Sequence, residues 1–220
     1  MSTLLLEGPG AGRDIATYAR RVSRFDGGAV VRVVARGRVA GFFAETPFDA
    51  LALRSAALAE PADVDEVVEA GTLAARAASA AGGGRLELPP PVPALRWTSG
   101  LPPTAGWREL GRLPAVEVAD RVAEGVAEFR LRAEGGADAP SRAALESLAA
   151  DVWAREMAAG VPMRLAHAAE SYGFIGPGSA GGGSADGEVV LRAAGAWQRL
   201  DAPYGSVLGR SADVLGLFVG

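Results

Sequence analysis

The side chains of this sequence that are best suited to chemistry lie on one predicted helix and on the hairpin that follows it. On a helical wheel of residues 162–172, an arginine, a histidine and a serine share the outer face, while the apolar residues share the opposite one. Such side chains contact phosphate oxygens and base edges. The candidate nucleic-acid-binding residues are Arg164, His167 and Ser171 in this helix and Arg192 and Arg199 in the hairpin.

The order of elements around these residues also favours DNA binding as an alternative function. Residues 114–209 predict two helices, a short third helix and a β-hairpin, which is the order of a winged helix-turn-helix protein. Against it, residues 162–172 hold a single arginine and the flanking helices are acidic, whereas DNA-binding proteins show a clustered basic surface. An ordinary solvated helix face with a surface histidine is the favoured interpretation.

A glycine loop near the N-terminus is the second pattern with a possible ligand. Residues 8–12 precede a predicted helix, and backbone N–H groups at a helix N-terminus bind phosphate. The loop is too short for a P-loop, lacks its lysine, does not follow the G-x-G-x-x-G spacing, and is followed by Asp14. We therefore interpret it as a strand-to-helix turn.

Arginines also cluster in the first forty residues, where bidentate recognition of a carboxylate or phosphate is conceivable. Arginine is the chain's only strong cation, so every exposed ion pair must use it and the cluster is weak evidence. The cluster consists of Arg20, Arg21, Arg24, Arg32, Arg36 and Arg38.

The composition excludes several reaction classes. There is no lysine and no cysteine, and His167 is the only histidine. This rules out Schiff-base lysines, thiol nucleophiles, iron–sulfur clusters and sites built from two or three histidines. The formal net charge of −4 argues against nucleic-acid binding over the whole surface. No catalytic residue, cofactor-binding residue or metal ligand is predicted, and no cofactor is expected.

Carboxylates leave a second alternative open, an enzyme with a cleft between two halves of the chain. Such an enzyme requires a deep pocket lined by at least two Asp or Glu side chains. The most conspicuous carboxylate set, Asp63, Asp65 and Glu66, is explained by helix capping instead, since Glu66 follows Asp63 at the capping-box spacing.

The elements that position these residues divide into two halves. Residues 1–88 form a predicted α+β half and residues 107–220 a helical half, joined by a proline-rich linker or ordered strap at residues 89–106. In the first half we predict a strand at 3–6, a helix at 14–24, a hairpin of 29–35 and 38–44 that turns at Arg36-Gly37, a strand or helix at 49–58, and a helix from Asp63 to about 80.

The second half predicts three helices followed by strands. The helices begin at Pro114, at the N-cap Ser141 and at Pro162, the last ending near Tyr172 with Gly173 behind it. A Gly/Ser loop follows at residues 176–187, with strands predicted at 188–193, 197–200 and 204–209.

Two segments of this half carry a family resemblance. VPMRLAHAAESYGFIG (residues 161–176) and WQRLDAPYGSV (residues 197–207) resemble uncharacterised conserved proteins of high-GC actinobacteria. The resemblance implies no activity and no functional residue.

The sequence thus predicts an α+β fold with an N-terminal β-hairpin or meander and two helices, and a C-terminal three-helix unit followed by a β-hairpin. The predicted function is that of a non-catalytic cytoplasmic binding or regulatory domain. Its expected partner is another protein or a second copy of the chain, nucleic acid is the alternative, and no stretch is long enough to span a membrane.

Overall fold

Helices and strands alternate along the chain in a mixed α+β arrangement, which confirms the predicted fold class. The computed structural model describes residues 2–8, 10–82, 84–135, 140–176 and 187–211. The helices are α1 (Ala11–Phe25), α2 (Ala70–Ser79), α3 (Ala115–Glu134), α4 (Arg142–Trp153) and α5 (Met163–Ser171). The strands are β1 (Thr3–Leu5), β2 (Val30–Thr46), β3 (Ala50–Glu69), β4 (Arg85–Glu87), β5 (Arg108–Pro114), β6 (Glu156–Ala158), β7 (Val161–Pro162), β8 (Glu188–Ala194), β9 (Trp197–Ala202) and β10 (Gly205–Arg210).

One antiparallel sheet joins the two halves of the chain. Its strand order is β2-β3-β10-β9-β8-β5, so β3 of the first half pairs with β10 of the second. The β8–β9 hairpin therefore lies inside the sheet and is not a projecting wing. Two short two-stranded sheets, β1-β4 and β6-β7, lie outside it.

The predicted hairpin turn at Arg36-Gly37 is wrong. β2 continues through these residues and pairs along its length with β3, with a shift in register between Gly37 and Val39. Gly37 has a φ of +60°, which suits glycine, and marks a bulge. The bulge is needed because the buried side chains change from odd to even positions, as Val31, Val33 and Ala35 are followed by Ala40, Phe42 and Ala44.

The predicted helix start at Asp63 is also wrong. Residues up to Glu69 belong to β3, and α2 begins at Ala70. Asp63 and Asp65 form ion pairs with Arg36 and Arg32 of β2 instead of capping a helix. The alternation of charged and apolar residues in this stretch is therefore that of a strand, in which successive side chains point to opposite faces. Residues 50–58 likewise form strand and not helix.

The helices of the second half follow their local signals. Ser141 accepts a hydrogen bond from the backbone N–H of Ala144 at 3.2 Å, as an N-cap does. α5 ends just before Gly173, which has a φ of +65°. Most of the Gly/Ser loop predicted at residues 176–187 lies outside the described residues.

Two hydrophobic clusters lie on the two faces of the sheet. The larger cluster contains residues of both halves, for example Phe42 and Leu58 of the first and Tyr172 and Leu191 of the second. The smaller cluster lies on the other face and consists of Val30, Leu51, Leu53, Val67, Trp97 and Leu208.

The proline-rich segment covers this smaller cluster as an ordered strap, which we define as residues 89–106. The backbone N–H of Val92 donates to the carbonyl of Val67 at 2.8 Å. Trp97 is only 8% exposed, whereas Leu95 is 90% exposed. No helix in the described part of the chain has the length and apolar character needed to cross a membrane.

Candidate functional site

A groove runs along the end of the sheet between the β2–β3 turn and the strap. It consists of two adjoining cavities of about 510 and 390 Å³, and both are lined by Glu45 and Thr46 at the end of β2. We call the two cavities together the strap groove. The larger cavity reaches the ends of β9 and β10, and the smaller one reaches the C-terminal end of α1.

The larger cavity combines an apolar floor with an exposed arginine. Leu51 and Leu208, both buried, line it together with Trp197. The guanidinium of Arg210 lies over the indole of Trp197, 4.9 Å from the ring centroid, in cation–π geometry. No carboxylate of the described residues forms an ion pair with Arg210.

The smaller cavity has an aromatic wall. Phe25, 46% exposed, stacks on the buried ring of Tyr172 with a centroid distance of 5.1 Å. On the strap side, Arg96 donates to the carbonyl of Gly28 and lies 3.5 Å from a carboxylate oxygen of Glu69. An apolar side chain could contact Phe25 while polar atoms remain near Arg96.

Glu45 forms the wall that both cavities share. Its Oε1 accepts three hydrogen bonds from the strap, from the N–H of Thr98 at 3.1 Å, the hydroxyl of Thr98 at 2.8 Å and the N–H of Ser99 at 2.7 Å. Burial raises the pKa of Glu45, but the hydrogen bonds from Ser99 and Thr98 outweigh burial, so the net pKa is lowered. Glu45 is therefore an ionised anchor for the strap and poorly suited to general acid catalysis.

The glycine loop borders a third cavity, of about 250 Å³, that also contains Asp14 and Arg54. Arg54 donates to Asp14 at 2.5 Å and to the carbonyl of Tyr204. The arginine is thus occupied by groups of the chain itself, and the geometry agrees with a strand-to-helix turn.

Two of the predicted nucleic-acid-binding residues on α5 are packed against neighbouring elements. Arg164 donates from Nη2 to the carbonyl of Arg210 at 2.8 Å. His167 stacks on Trp153 with centroids 4.0 Å apart and contacts the edge of Phe48 at 4.8 Å. The expected surface histidine is therefore half-buried, and burial lowers its pKa. Ser171 is the last residue of α5 and is partly exposed.

The other two lie on inner strands of the sheet. Arg192 of β8 and Arg199 of β9 both form ion pairs with Asp201, and Arg199 is also 3.2 Å from the hydroxyl of Ser206. The structure thus brings Arg192 and Arg199 together around one carboxylate. Binding of DNA by these two residues and by the α5 face stays a prediction.

The arginine cluster of the first forty residues divides in two. Arg32 and Arg36 pair with aspartates of β3, and Arg38 donates to the carbonyl of Ala59 at 2.6 Å. The arginines of α1 remain on the helix surface or at its edge. Among the described residues no group of three or more His, Asp or Glu side chains is placed to hold a metal ion.

The strap groove could not be predicted from local sequence patterns, although the proline-rich segment beside it could. The proline-rich segment predicted either a strap or a linker, and nothing in the local pattern placed Trp197 and Arg210 opposite Glu45. These residues are far apart in sequence and meet only through the pairing of β3 with β10.

Solved structures with a similar arrangement of elements share little sequence with this chain. A crystal structure of the DNA polymerase III subunit beta from Pseudomonas aeruginosa is 13% identical, with a TM-score of 0.49, and the match covers 90% of this chain and 62% of that one. A crystal structure of the DNA polymerase sliding clamp from the same organism is 13% identical, with a TM-score of 0.48, covering 96% and 64%. The chain thus spans less than two thirds of either protein.

Family comparisons divide the chain within the strap. No curated protein matches it, and the actinobacterial resemblance stays a prediction. Residues 1–99 match the family described as Domain of unknown function (DUF8010), and residues 102–214, more than half of the chain, match Domain of unknown function (DUF8185). The chain accordingly belongs to the DUF8185 family and carries a DUF8010 region before it.

Proposed function

We propose that this protein is a non-catalytic binding domain that holds an extended peptide segment of a partner protein in the strap groove. The observation that carries the proposal is Arg210, whose guanidinium lies over Trp197 and has no carboxylate partner among the described residues. A peptide carboxylate is the natural ligand for such an arginine, because the planar guanidinium binds carboxylates through two parallel hydrogen bonds.

The remaining lining of the groove sets the composition of the peptide. The apolar floor at Leu51 and Leu208 suits an aliphatic or aromatic side chain beside the carboxylate, and Phe25 offers a second apolar contact in the adjoining cavity. A few apolar contacts with a small number of polar anchors are typical of ligand sites. The exposed Asp26 and Asp49, which also line the groove, suit a basic residue elsewhere in the same peptide.

Selection from a library of random dodecapeptides with free C-termini tests the proposal. We expect the enriched peptides to carry an Asp, a Glu or the terminal carboxylate next to an apolar residue. Calorimetric titration should then show that Arg210→Gln weakens binding about tenfold to a hundredfold, which corresponds to one lost charge-assisted interaction. The substitution leaves the backbone carbonyl that Arg164 binds in place.

Arg108→Gln is the matched control, because Arg108 is exposed, forms no ion pair with the described residues and lies outside the groove. Binding should be unchanged in this variant. Peptides that bind Arg210→Gln as tightly as the wild type, or a selection that yields no binder, would contradict the proposal.

A further inference from the structure

We propose that the exposed stripe of α1 is a second binding site, which contacts the phosphate backbone of duplex DNA without reading its sequence. The stripe consists of Arg13, Thr17, Arg20 and Arg24, spaced at i, i+4, i+7 and i+11, and we call it the α1 stripe. These positions fall on one side of the helix. The opposite side is buried in the main core through Ile15, Tyr18 and Val22.

The three arginines of the stripe stand out because no carboxylate of the described residues neutralises them. Most arginines elsewhere pair with an Asp or Glu, whereas Arg13, Arg20 and Arg24 are exposed and form no ion pair with any carboxylate of the described residues. Within the described part of the chain, Arg20 donates one side-chain hydrogen bond, to the hydroxyl of Thr17 at 3.1 Å. The stripe therefore concentrates positive charge on a chain whose net charge is −4.

Two features show that this charge is not placed there to stabilise the helix. Arg13 lies in the first turn, where the positive end of the helix dipole disfavours a cation. At the other end, the pKa of Arg21 is lowered first by burial and then by repulsion from Arg24. Of the three arginines, only Arg24 lies in the last turn, where a cation stabilises the helix through its dipole. An anion outside the chain would relieve the repulsion between Arg24 and Arg21.

The neighbouring helix leaves room for a large anionic ligand. α2 packs beside α1, and a Cβ atom at Gly71 would lie 3.7 Å from the hydroxyl of Ser23. Arg76 is the only long side chain on the exposed face of α2, so the side chains of α2 leave the α1 stripe accessible. The exposed residues of α2 are Gly71, Thr72, Ala75, Arg76, Ala78 and Ser79.

Charge geometry favours a duplex over other polyanions. The stripe is about 16 Å long, at 1.5 Å per residue from Arg13 to Arg24. A duplex carries one negative charge per about 1.7 Å of its axis with both strands counted, so a length of duplex equal to the stripe carries about ten charges, some of which face the helix. The stripe has no aromatic residue on which single-stranded bases could stack and no apolar residue to insert into a membrane.

Fluorescence anisotropy with a labelled 30-base-pair duplex of mixed sequence, titrated from 25 to 200 mM NaCl, tests the proposal. We expect weak binding that falls steeply with salt. A triple variant with Arg13→Gln, Arg20→Gln and Arg24→Gln should bind at least about tenfold more weakly at low salt. Its plot of log K against log salt should be shallower by about 2.7, because each phosphate contact contributes about 0.9.

The matched control is a triple variant with Arg108→Gln, Arg130→Gln and Arg142→Gln, which removes the same charge from exposed positions of the second half. Thermal melts establish that both variants are folded. Binding in this control should equal that of the wild type. An equal loss in both variants would overturn the proposal, because only net charge would then matter.

Other outcomes also decide the question. No binding at 25 mM NaCl overturns the proposal. A loss in Arg164→Gln with full binding in the α1 variant places DNA on α5 and overturns it as well. Competition by polyglutamate or by phosphatidylserine vesicles as effective per charge as that by unlabelled duplex would show a general anion surface and overturn the assignment to DNA.

Discussion

At the scale of single residues, α5 holds two polar atoms that the fold buries without a partner. Among the described residues, neither Nε of Arg164 nor Nδ1 of His167 has a hydrogen bond. Buried polar atoms usually have a hydrogen-bond partner, and a buried polar atom without one lowers the free energy of unfolding. For His167 the cost is smaller when the ring is neutral, because burial disfavours the imidazolium and lowers its pKa.

We therefore predict that His167 makes folding stability fall in mild acid. Its folded-state pKa lies below its ordinary value, so its contribution is full above the ordinary pKa and is lost as the pH falls towards the folded-state pKa. His167→Phe retains an aromatic ring and cannot titrate. Urea unfolding of both proteins at several pH values between 5 and 8 should show a smaller acid loss in the variant.

Glu170 on the same helix acts in the opposite direction. Burial raises its pKa, so its folded form binds protons more readily and gains stability as the pH falls. Comparing wild type with His167→Phe cancels this contribution because Glu170 is present in both. Parallel pH profiles of the two proteins would refute the role assigned to His167.

At the scale of elements, the strap is the segment on which the candidate site depends. It is held by the hydrogen bond from Val92 to Val67, by the three bonds to Glu45 and by burial of Trp97. The indole N–H of Trp97 donates to the carbonyl of Ser99 at 2.5 Å. Trp97 thus helps both to dock the strap and to position Ser99, which lines the groove.

Trp97→Ala should lower the free energy of unfolding by about 3–5 kcal/mol, since it removes a buried aromatic side chain and leaves a cavity. Leu95→Ala, in the same strap but at a 90% exposed position, should change it by less than about 0.5 kcal/mol. Chemical denaturation followed by circular dichroism measures both. A loss below about 1 kcal/mol for Trp97→Ala would mean that the strap is not docked as described.

The bulge in β2 shows how far an element could be predicted. The apolar residues on either side of Gly37 correctly indicated β structure, and Gly37 has the positive φ that the predicted turn at Arg36-Gly37 would also have given it. A tight turn and a bulge both place such a glycine between two apolar runs. Only the presence of β3 as a partner for the whole of β2 decided between them.

At the scale of the whole molecule, the pairing of β3 with β10 makes the two family regions parts of one sheet. The larger hydrophobic cluster also draws on both regions. The division into residues 1–88, 89–106 and 107–220 stays a prediction, and the family matches meet between residues 99 and 102. Because the two regions share one sheet and one hydrophobic cluster, we predict that they unfold cooperatively.

We accordingly expect a single thermal transition in which the calorimetric and van't Hoff enthalpies agree. Leu73→Ala in the first region and Leu191→Ala in the second, both at fully buried positions, should each lower the midpoint of that same transition. Two resolved transitions, each sensitive to only one of these variants, would show that the regions unfold independently.

The sequence by itself determined the α+β class, the helices of the second half and the lack of lysine and cysteine side chains. Those features depend on composition and on local signals, such as the Ser141 cap and the glycine after α5, which act within a few residues. The tertiary structure alone decided that residues 62–69 are strand, that His167 is half-buried and that Trp197, Arg210 and Glu45 line one groove. These outcomes depend on strand pairing and packing between distant residues, which outweigh local preferences because they bury far more surface.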